Sequence, residues 1–236
     1  MNYICTHRDY KEWVSSGEYM IITSNKLTRE NEYSFRVIHA DNKLKHMQFA
    51  YAEGYMIYDI WLKGNDDWVG INHYRRYLIN PLKETTLVKP MYINMHSQYA
   101  ECHNLSDLLK VEEIIDTYFP EYSMDYRNIN VLYPCNMFIL NRRDFNKYCE
   151  FVFGVLDKFN EKYHLHSDKD VQEYVGNNIA NGYYRYNKDV KYQSRLHGFL
   201  MERLGTIFFI KYIRENNPDT NKIVEKEILV VSAKIE

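Results

Sequence analysis

Across 236 residues the chain is 45% hydrophobic, enough for one large domain with a real core, and 30 basic against 32 acidic residues leave a formal charge of -2. That balance excludes a protein-wide field for nucleic acid, so any polyanion site must be local. No run reaches the ~20 apolar residues of a membrane span, the N-terminal MNYICTHRDY lacks a signal peptide's regions, and Cys5, Cys102, Cys135 and Cys149 form no CxxC pair, so a cytoplasmic protein with reduced thiols is expected.

In chain order, the apolar run at 3–5 leads into Thr6, His7 and Arg8, a short strand opening into a polar loop, and 19–23 reads as its neighbour. Over 45–63, Phe49, Ala52, Met56, Ile60 and Trp61 recur at helical spacing and predict one amphipathic helix covering a sheet. Gly64, Asn65, Asp66 and Asp67 then signal a turn, and WVGI at 68–71 predicts a buried strand ending near Asn72. The next motif, HYRRY, therefore sits at a strand's carboxyl end.

Residues 78–104 show no period and contain Pro81 and Pro90, the pattern of a long excursion that builds a binding lip. Asn104 or Ser106 caps a helix to about Tyr118, stopped by Pro120. NVLYPCNMFIL at 130–140 predicts a strand broken at Pro134, near Asn136. A long helix follows Asn141, with Phe145, Cys149, Val152, Leu156 and Phe159 on one face, and Ser167 opens another with acids in its first turn. The last long helix spans about 194–215, and ILVV at 228–231 reads as a final strand. The alternation predicts one α/β domain over 1–236, core about 1–210 and tail 211–236, with a mostly parallel central sheet and a helical C-terminal part. Ligands of such sheets bind outside the strands' carboxyl ends, which puts both THR and NHYRRY in the expected cleft.

Arg75 and Arg76 carry about ten N–H donors between them and suit phosphate oxygens, but a pair pointing to opposite sides in surface ion pairs weighs equally at this point. The 23 tyrosines supply flat faces and hydroxyls suited to sugars, and decide nothing alone. His7 faces the same cleft or is structural; His73 adjoins the arginines; Glu53, in an apolar helical stretch, needs a partner such as an arginine. Asp66 and Asp67 look like turn residues. Asp168 and Asp170 spell DxD but fit a helix start better, so no metal motif is well placed, Mg²⁺ or Mn²⁺ being the ions a nucleotide-sugar enzyme would take. GxGxxG, GxxxxGK[ST] and GxSxG are absent.

YICTHRDY, AEGYMIYDIWLK, WVGINHYRRYL, NMFILNRRDFNKYCEFVFGVL and RLHGFLMERLGTIFF, in this order over about 3–210, resemble the bacterial family called domain of unknown function 4422. Its members are similar to glycosyltransferases of capsular and exopolysaccharide synthesis. The helix here reads AEGYMIYDIW where a CELT-like start and a YW pair are more typical. The resemblance implies a GT-A-like nucleotide-diphospho-sugar transferase fold, with His7 at the nucleotide end. It matches Glu53, Tyr58 and Trp61, then His73, Tyr74, Arg75, Arg76 and Tyr77, then Asn136 and Met137, and finally Arg195, Gly198, Phe199, Glu202 and Arg203.

It also implies a hexosyltransferase using a UDP-hexose, a galactose form among them, and a glycan or lipid-linked acceptor, cytoplasmic and in contact with the inner face of the membrane. In the GT-A order NHYRRY stands where an acidic DxD is usual, so Arg75 and Arg76 would balance the leaving diphosphate. His73, Tyr74, Asn136, Arg195 and, by analogy, His197 would join them. An inverting transfer would take Glu202 or Asp168 as base, although Glu202 beside Arg203 suits an internal ion pair. The rival reading is a non-catalytic nucleotide-sugar or carbohydrate-binding module. Nucleic acid is not an expected partner.

Overall fold

The structure is a computed structural model that describes residues 1–12, 18–78, 84–179 and 187–216, together with the backbone of 223–226 and 229–230. β1 (Asn2–Thr6) is buried at every position, as a strand covered on both faces must be. It lies between β2 (Tyr19–Thr23) and a later strand, and pairs in parallel with both. β3 (Val37–His39) extends the sheet beyond β2, again in parallel. Three residues were too few to show a period in the sequence.

The helix expected over 45–63 is broken. A 3-10 turn at Lys43–Met47, capped by Asn42, leads into α1 (Gln48–Tyr51). Ala52 then adopts φ 50 and ψ -121, and α2 (Glu53–Lys63) starts afresh. Periodicity could not reveal this, because the apolar spacing continues across the break. Glu53 thereby becomes the first residue of a helix instead of one in the middle of its length.

β4 (Trp68–His73) is the predicted strand, and β5 (Arg76–Tyr77) folds straight back on it with His73 opposite Arg76. The supposed excursion holds β6 (Thr85–Val88) and α3 (Met95–Cys102). α4 (Leu105–Tyr118) is capped by Asn104, whose side chain accepts the Ser106 N–H. Of the 130–140 strand only its end forms, as β7 (Phe138–Asn141). α5 (Arg142–Tyr163), capped by Asn141, and α6 (Asp168–Asn178), capped by Ser167, follow as the sequence predicts. α7 (Val190–Gln193) is one short turn before α8 (Leu196–Asn216). β8 (Ile223–Lys226) and β9 (Leu229–Val230) end the described chain; the rest of the predicted 228–231 strand lies outside the described residues.

The sheet order is β3-β2-β1-β4-β7-β6-β8, with β5 and β9 off this path. The fold is α/β, and its N-terminal half is parallel as expected. Beyond β4 the pairing is antiparallel at β4–β7 and β6–β7, then parallel at β6–β8, so the whole is a mixed sheet. Helical periodicity reports that elements alternate and carries no strand direction, which is why the antiparallel half was not foreseen.

α5 packs against α2, α4 and α8. Its predicted face, Phe145, Cys149, Val152, Leu156 and Phe159, is wholly buried. Each such side chain contributes roughly 2–3 kcal/mol of burial free energy. Trp61 stacks on Phe153 at 5.8 Å, and Tyr148 on Phe209 at 5.7 Å. Among the described residues no helix is long and apolar enough to cross a membrane.

Candidate active site

The carboxyl end of β4 is pinned by its own side chains. Asn72, 1% exposed, accepts the Leu78 N–H through Oδ1 at 2.7 Å, and His73 Nδ1 accepts the Arg75 N–H at 3.1 Å. The reversal this enforces turns Arg75 and Arg76 to the same cleft, about 330 Å³ in volume, and buries Tyr74 on the opposite side with Ile4, Tyr10, Ile21 and Leu27. Tyr74 still serves the arginines. Its hydroxyl accepts from Arg8 Nε at 3.0 Å and Nη2 at 2.6 Å, and the Arg8 and Arg75 guanidiniums lie 5.3 and 5.1 Å from its ring centre.

Glu53, at the start of α2, reaches the cleft from beneath. Its Oε1 is 3.4 Å from His73 Nε2 and its Oε2 is 3.5 Å from Arg195 Nη2. Burial alone would raise its pKa, but the His73 hydrogen bond and the Arg195 charge hold it at about 2, so it is a carboxylate. Burial pushes the His73 ring below its ordinary value; Glu53 opposes that shift, and Arg75 and Arg76 reinforce it. Neutral His73, accepting at Nδ1, donates from Nε2 towards Glu53. Gly198 on α8 permits this approach, since a Cβ there would stand 3.1 Å from Ala52 Cβ and 3.4 Å from the Tyr51 carbonyl oxygen.

The far wall is built by residues 134–136 and by α8. Cys135 and Asn136 both take left-handed backbone, φ 71 and 51, where the sequence predicted a break. The Cys135 N–H donates to Glu202 Oε1 at 2.7 Å, while Glu202 Oε2 accepts from Arg203 Nη1 at 2.8 Å. Arg203 is 1% exposed, donates also to the Phe199 carbonyl and to Gln98 Oε1, and lies 4.9 Å from the Tyr99 ring centre. Burial raises the Cys135 thiol to about 12, Glu202 adding to the shift and Arg76, whose Nη1 is 3.2 Å from Sγ, opposing it. That thiol is no nucleophile at neutral pH.

Among the described residues four arginines and two glutamates thus line the cleft. Arg195 pairs with Glu53 and Arg203 with Glu202, while among the described residues Arg75 and Arg76 form no ion pair. The balance of two positive charges is what a diphosphate dianion would neutralise. Among the described residues no group of three or more His, Cys, Asp or Glu side chains could hold a metal ion.

Arg195 also lines a second cavity of about 570 Å³, bounded by His7, Ser24, Asn25, Lys45, Gln48 and Asp168 at the carboxyl ends of β1 and β2. His7 therefore lies beside the first cleft and not in it. Burial lowers its pKa; Glu53 opposes that shift, and Arg8, Arg195 and His73 add to it. Asp168 lines this second cavity and not the arginine cleft, and its two oxygens accept the Phe49 and Ala50 N–H groups at 3.1 and 2.9 Å. His197 is fully buried, bonded through Nε2 to Asn160 Oδ1 at 2.6 Å and stacked 4.5 Å from Tyr51. On α8 it points into the core, whereas Arg195 at the helix entrance faces outward.

The structure thus brings His73, Arg75, Arg76, Asn136, Arg195 and Glu202 to one cleft with Glu53, and leaves His7, Tyr74, Asp168 and His197 outside it. Sequence reasoning missed Gln98, Cys102 and His103 at the end of α3, and Asn187 and Tyr192 near α7. The aperiodic 78–104 stretch was the one available signal for the first group.

Residues 78–181 match the model of a domain of unknown function, DUF4422. The HYRRY motif and the α8 block lie outside that matched stretch. No curated protein matches the chain. Among solved structures, the apo structure of WbbM, a bifunctional glycosyltransferase, shares the fold with a TM-score of 0.71 and 18% identity. The likeness covers 98% of this chain and 45% of that one, so this chain spans less than half of WbbM's length. At this identity the likeness shows the fold alone.

Proposed function

We propose that the chain is a glycosyltransferase that binds a nucleotide-diphospho-sugar with its diphosphate on Arg75 and Arg76. The observation that carries the reading is the pair itself: two guanidiniums that have no ion pair among the described residues, turned into one cleft at the carboxyl end of β4, in a fold shared with a glycosyltransferase. Charge developing on the leaving diphosphate would be balanced by fixed cations that need no reorganisation. Mg²⁺ or Mn²⁺, if used, would be carried in with the diphosphate. The larger neighbouring cavity, with His7, suits the nucleoside.

Glu202 is the carboxylate we assign to deprotonating an acceptor hydroxyl in an inverting transfer. Its side chain is 24% exposed at the cleft, and each oxygen, although already accepting one hydrogen bond, keeps a further lone pair. The donor we favour is a UDP-hexose, with a galactose form among the candidates, and the acceptor a glycan or lipid-linked saccharide of surface polysaccharide synthesis. The setting is cytoplasmic, with peripheral contact at the membrane's inner face for a lipid-linked acceptor.

A second reading, a non-catalytic module that binds a nucleotide sugar, draws on the same occupancy of both Glu202 oxygens. Calorimetry against UDP, GDP, CMP and dTDP sugars tests the site. Binding weakened about 10- to 100-fold in Arg75→Ala or Arg76→Ala is expected. Unchanged binding in both variants would overturn the diphosphate assignment. Release or transfer of labelled sugar separates enzyme from module, and loss of transfer on adding EDTA with recovery in Mn²⁺ would show that the arginines do not suffice.

A further inference from the structure

Two side chains that line the cleft carry acceptors with no donor among the described residues. Gln193 Nε2 donates to the carbonyl oxygens of Cys102, at 3.0 Å, and Asn187, at 2.6 Å. These two acceptors fix the amide, so the atom 2.8 Å from His103 Nδ1 is Oε1. An acceptor at that distance requires a proton on Nδ1. The ring is 7% exposed, and burial, with the Arg203 charge adding, brings its pKa down to about 3, so it is neutral at physiological pH. A neutral imidazole with Nδ1–H has a lone pair on Nε2, and no described residue donates to it. Stacking on Phe199 at 4.0 Å holds the ring in place.

Asn136 is the second. It is 7% exposed, on a left-handed residue of the cleft wall, and among the described residues neither atom of its amide has a hydrogen-bond partner, so nothing fixes which of the two faces the cleft and Oδ1 can take that place. An acceptor left unfilled in a buried site costs about 1–3 kcal/mol, and a ligand that supplies a donor recovers part of that cost. A phosphate at neutral pH has few protons to give. A cationic donor would be repelled by the arginines. Hydroxyl groups remain, on a part of the ligand that is neutral and attached to, or placed beside, an anionic part.

We propose that His103 Nε2 and Asn136 Oδ1 accept hydrogen bonds from saccharide hydroxyls in the cleft and set sugar specificity, with Gln193 positioning His103. The inference rests on the reading of the cleft as a nucleotide-sugar site. Those hydroxyls belong either to the donor sugar or to the acceptor saccharide. A site built to hydrogen-bond a hydroxyl rejects the analogue that lacks it far more strongly than an apolar pocket does.

The test uses His103→Phe, which keeps the stacked ring without the acceptor, Asn136→Gly, which suits φ 51, and Asn136→Asp, which keeps an acceptor; unfolding curves establish that each is folded. In the donor arm, calorimetry compares UDP with UDP-glucose and UDP-galactose. The gain in affinity from the sugar, about tenfold or more in the parent protein, is expected to fall to within about threefold in His103→Phe and Asn136→Gly and to persist in Asn136→Asp, with UDP affinity itself little changed in His103→Phe. In the acceptor arm, methyl glucoside and methyl galactoside are titrated with UDP saturating, and the same loss there would assign the hydroxyls to the acceptor. Binding in both arms equal to that of the parent protein would overturn the proposal. Failure of the parent protein to bind any of UDP, GDP, CMP and dTDP would instead overturn the reading of the cleft, and this inference with it.

Discussion

Glu53 and His73 meet at 3.4 Å beneath the arginine pair, and the other oxygen of Glu53 holds Arg195, so one carboxylate ties the end of β4 to the entrance of α8. Its pKa of about 2 lies below the ordinary 4.5. A depressed carboxylate stabilises the fold fully above the unfolded value, and that contribution is lost as pH falls from about 4.5 towards 2. Glu53→Gln should cost on the order of 2–3 kcal/mol at pH 7, and the gap to the parent protein should narrow by about 1 kcal/mol at pH 4. Urea unfolding at the two pH values checks this; an equal gap at both would mean that Glu53 is not the anion of the cluster.

Gly198 controls whether that carboxylate can reach the cleft. A Cβ there meets Ala52 at 3.1 Å, immediately before Glu53, and Ala52 is already in left-handed backbone with little freedom to yield. In Gly198→Ala the gain in helix propensity, about 1 kcal/mol, offsets much of the crowding. Gly198→Val should destabilise by about 2–3 kcal/mol through overpacking and weaken nucleotide binding as Glu53 and Arg195 separate. Thermal unfolding and calorimetry on both variants check the order; a neutral valine would show that α8 is free to shift.

The sequence already displayed what depends on local chemistry. Asn104, Asn141 and Ser167 cap the helices they precede, the α5 face is buried as its spacing required, and Pro134 breaks its strand beside Asn136. The basic cluster was visible too, but whether both arginines faced one side depended on Asn72 capturing the Leu78 N–H, a link six residues long that no periodicity reports. Tyr74 and His197 show the converse limit. Each adjoins a cleft residue in sequence, and the backbone then turns its side chain away, Tyr74 across the strand and His197 round the helix. His103 was hidden because its polarity is set by Gln193, ninety residues further on.

Asp168 distinguishes a cap from a catalytic base. Its oxygens hold the N–H groups of Phe49 and Ala50 across the gap between α6 and α1. Asp168→Ala should lower stability by about 1–2 kcal/mol, as loss of an N-terminal cap does. Transfer per folded molecule should fall less than about tenfold, whereas removal of a general base costs about 10²–10⁴. A loss of transfer in that higher range, with stability unchanged, would return Asp168 to the chemistry.

His197 should make the fold acid-sensitive. Burial brings its pKa from 6.5 down to about 3, and its Nδ1 is buried with no partner among the described residues while Nε2 donates to Asn160. The unfolded chain therefore takes up a proton near pH 6.5 that the native core refuses. The stability tied to this histidine is complete above pH 6.5 and falls as pH drops towards 3, by up to about 1.4 kcal/mol per pH unit. His197→Gln should be less stable than the parent protein at pH 7.5, through the lost packing on Tyr51, yet lose stability more slowly between pH 6 and 4.5. His103, depressed in the same way, keeps the remaining slope from vanishing. Unfolding free energies from urea titrations at pH 7.5, 6 and 4.5 give the slopes directly, and parallel lines for the two proteins would mean that the native core admits a charged His197.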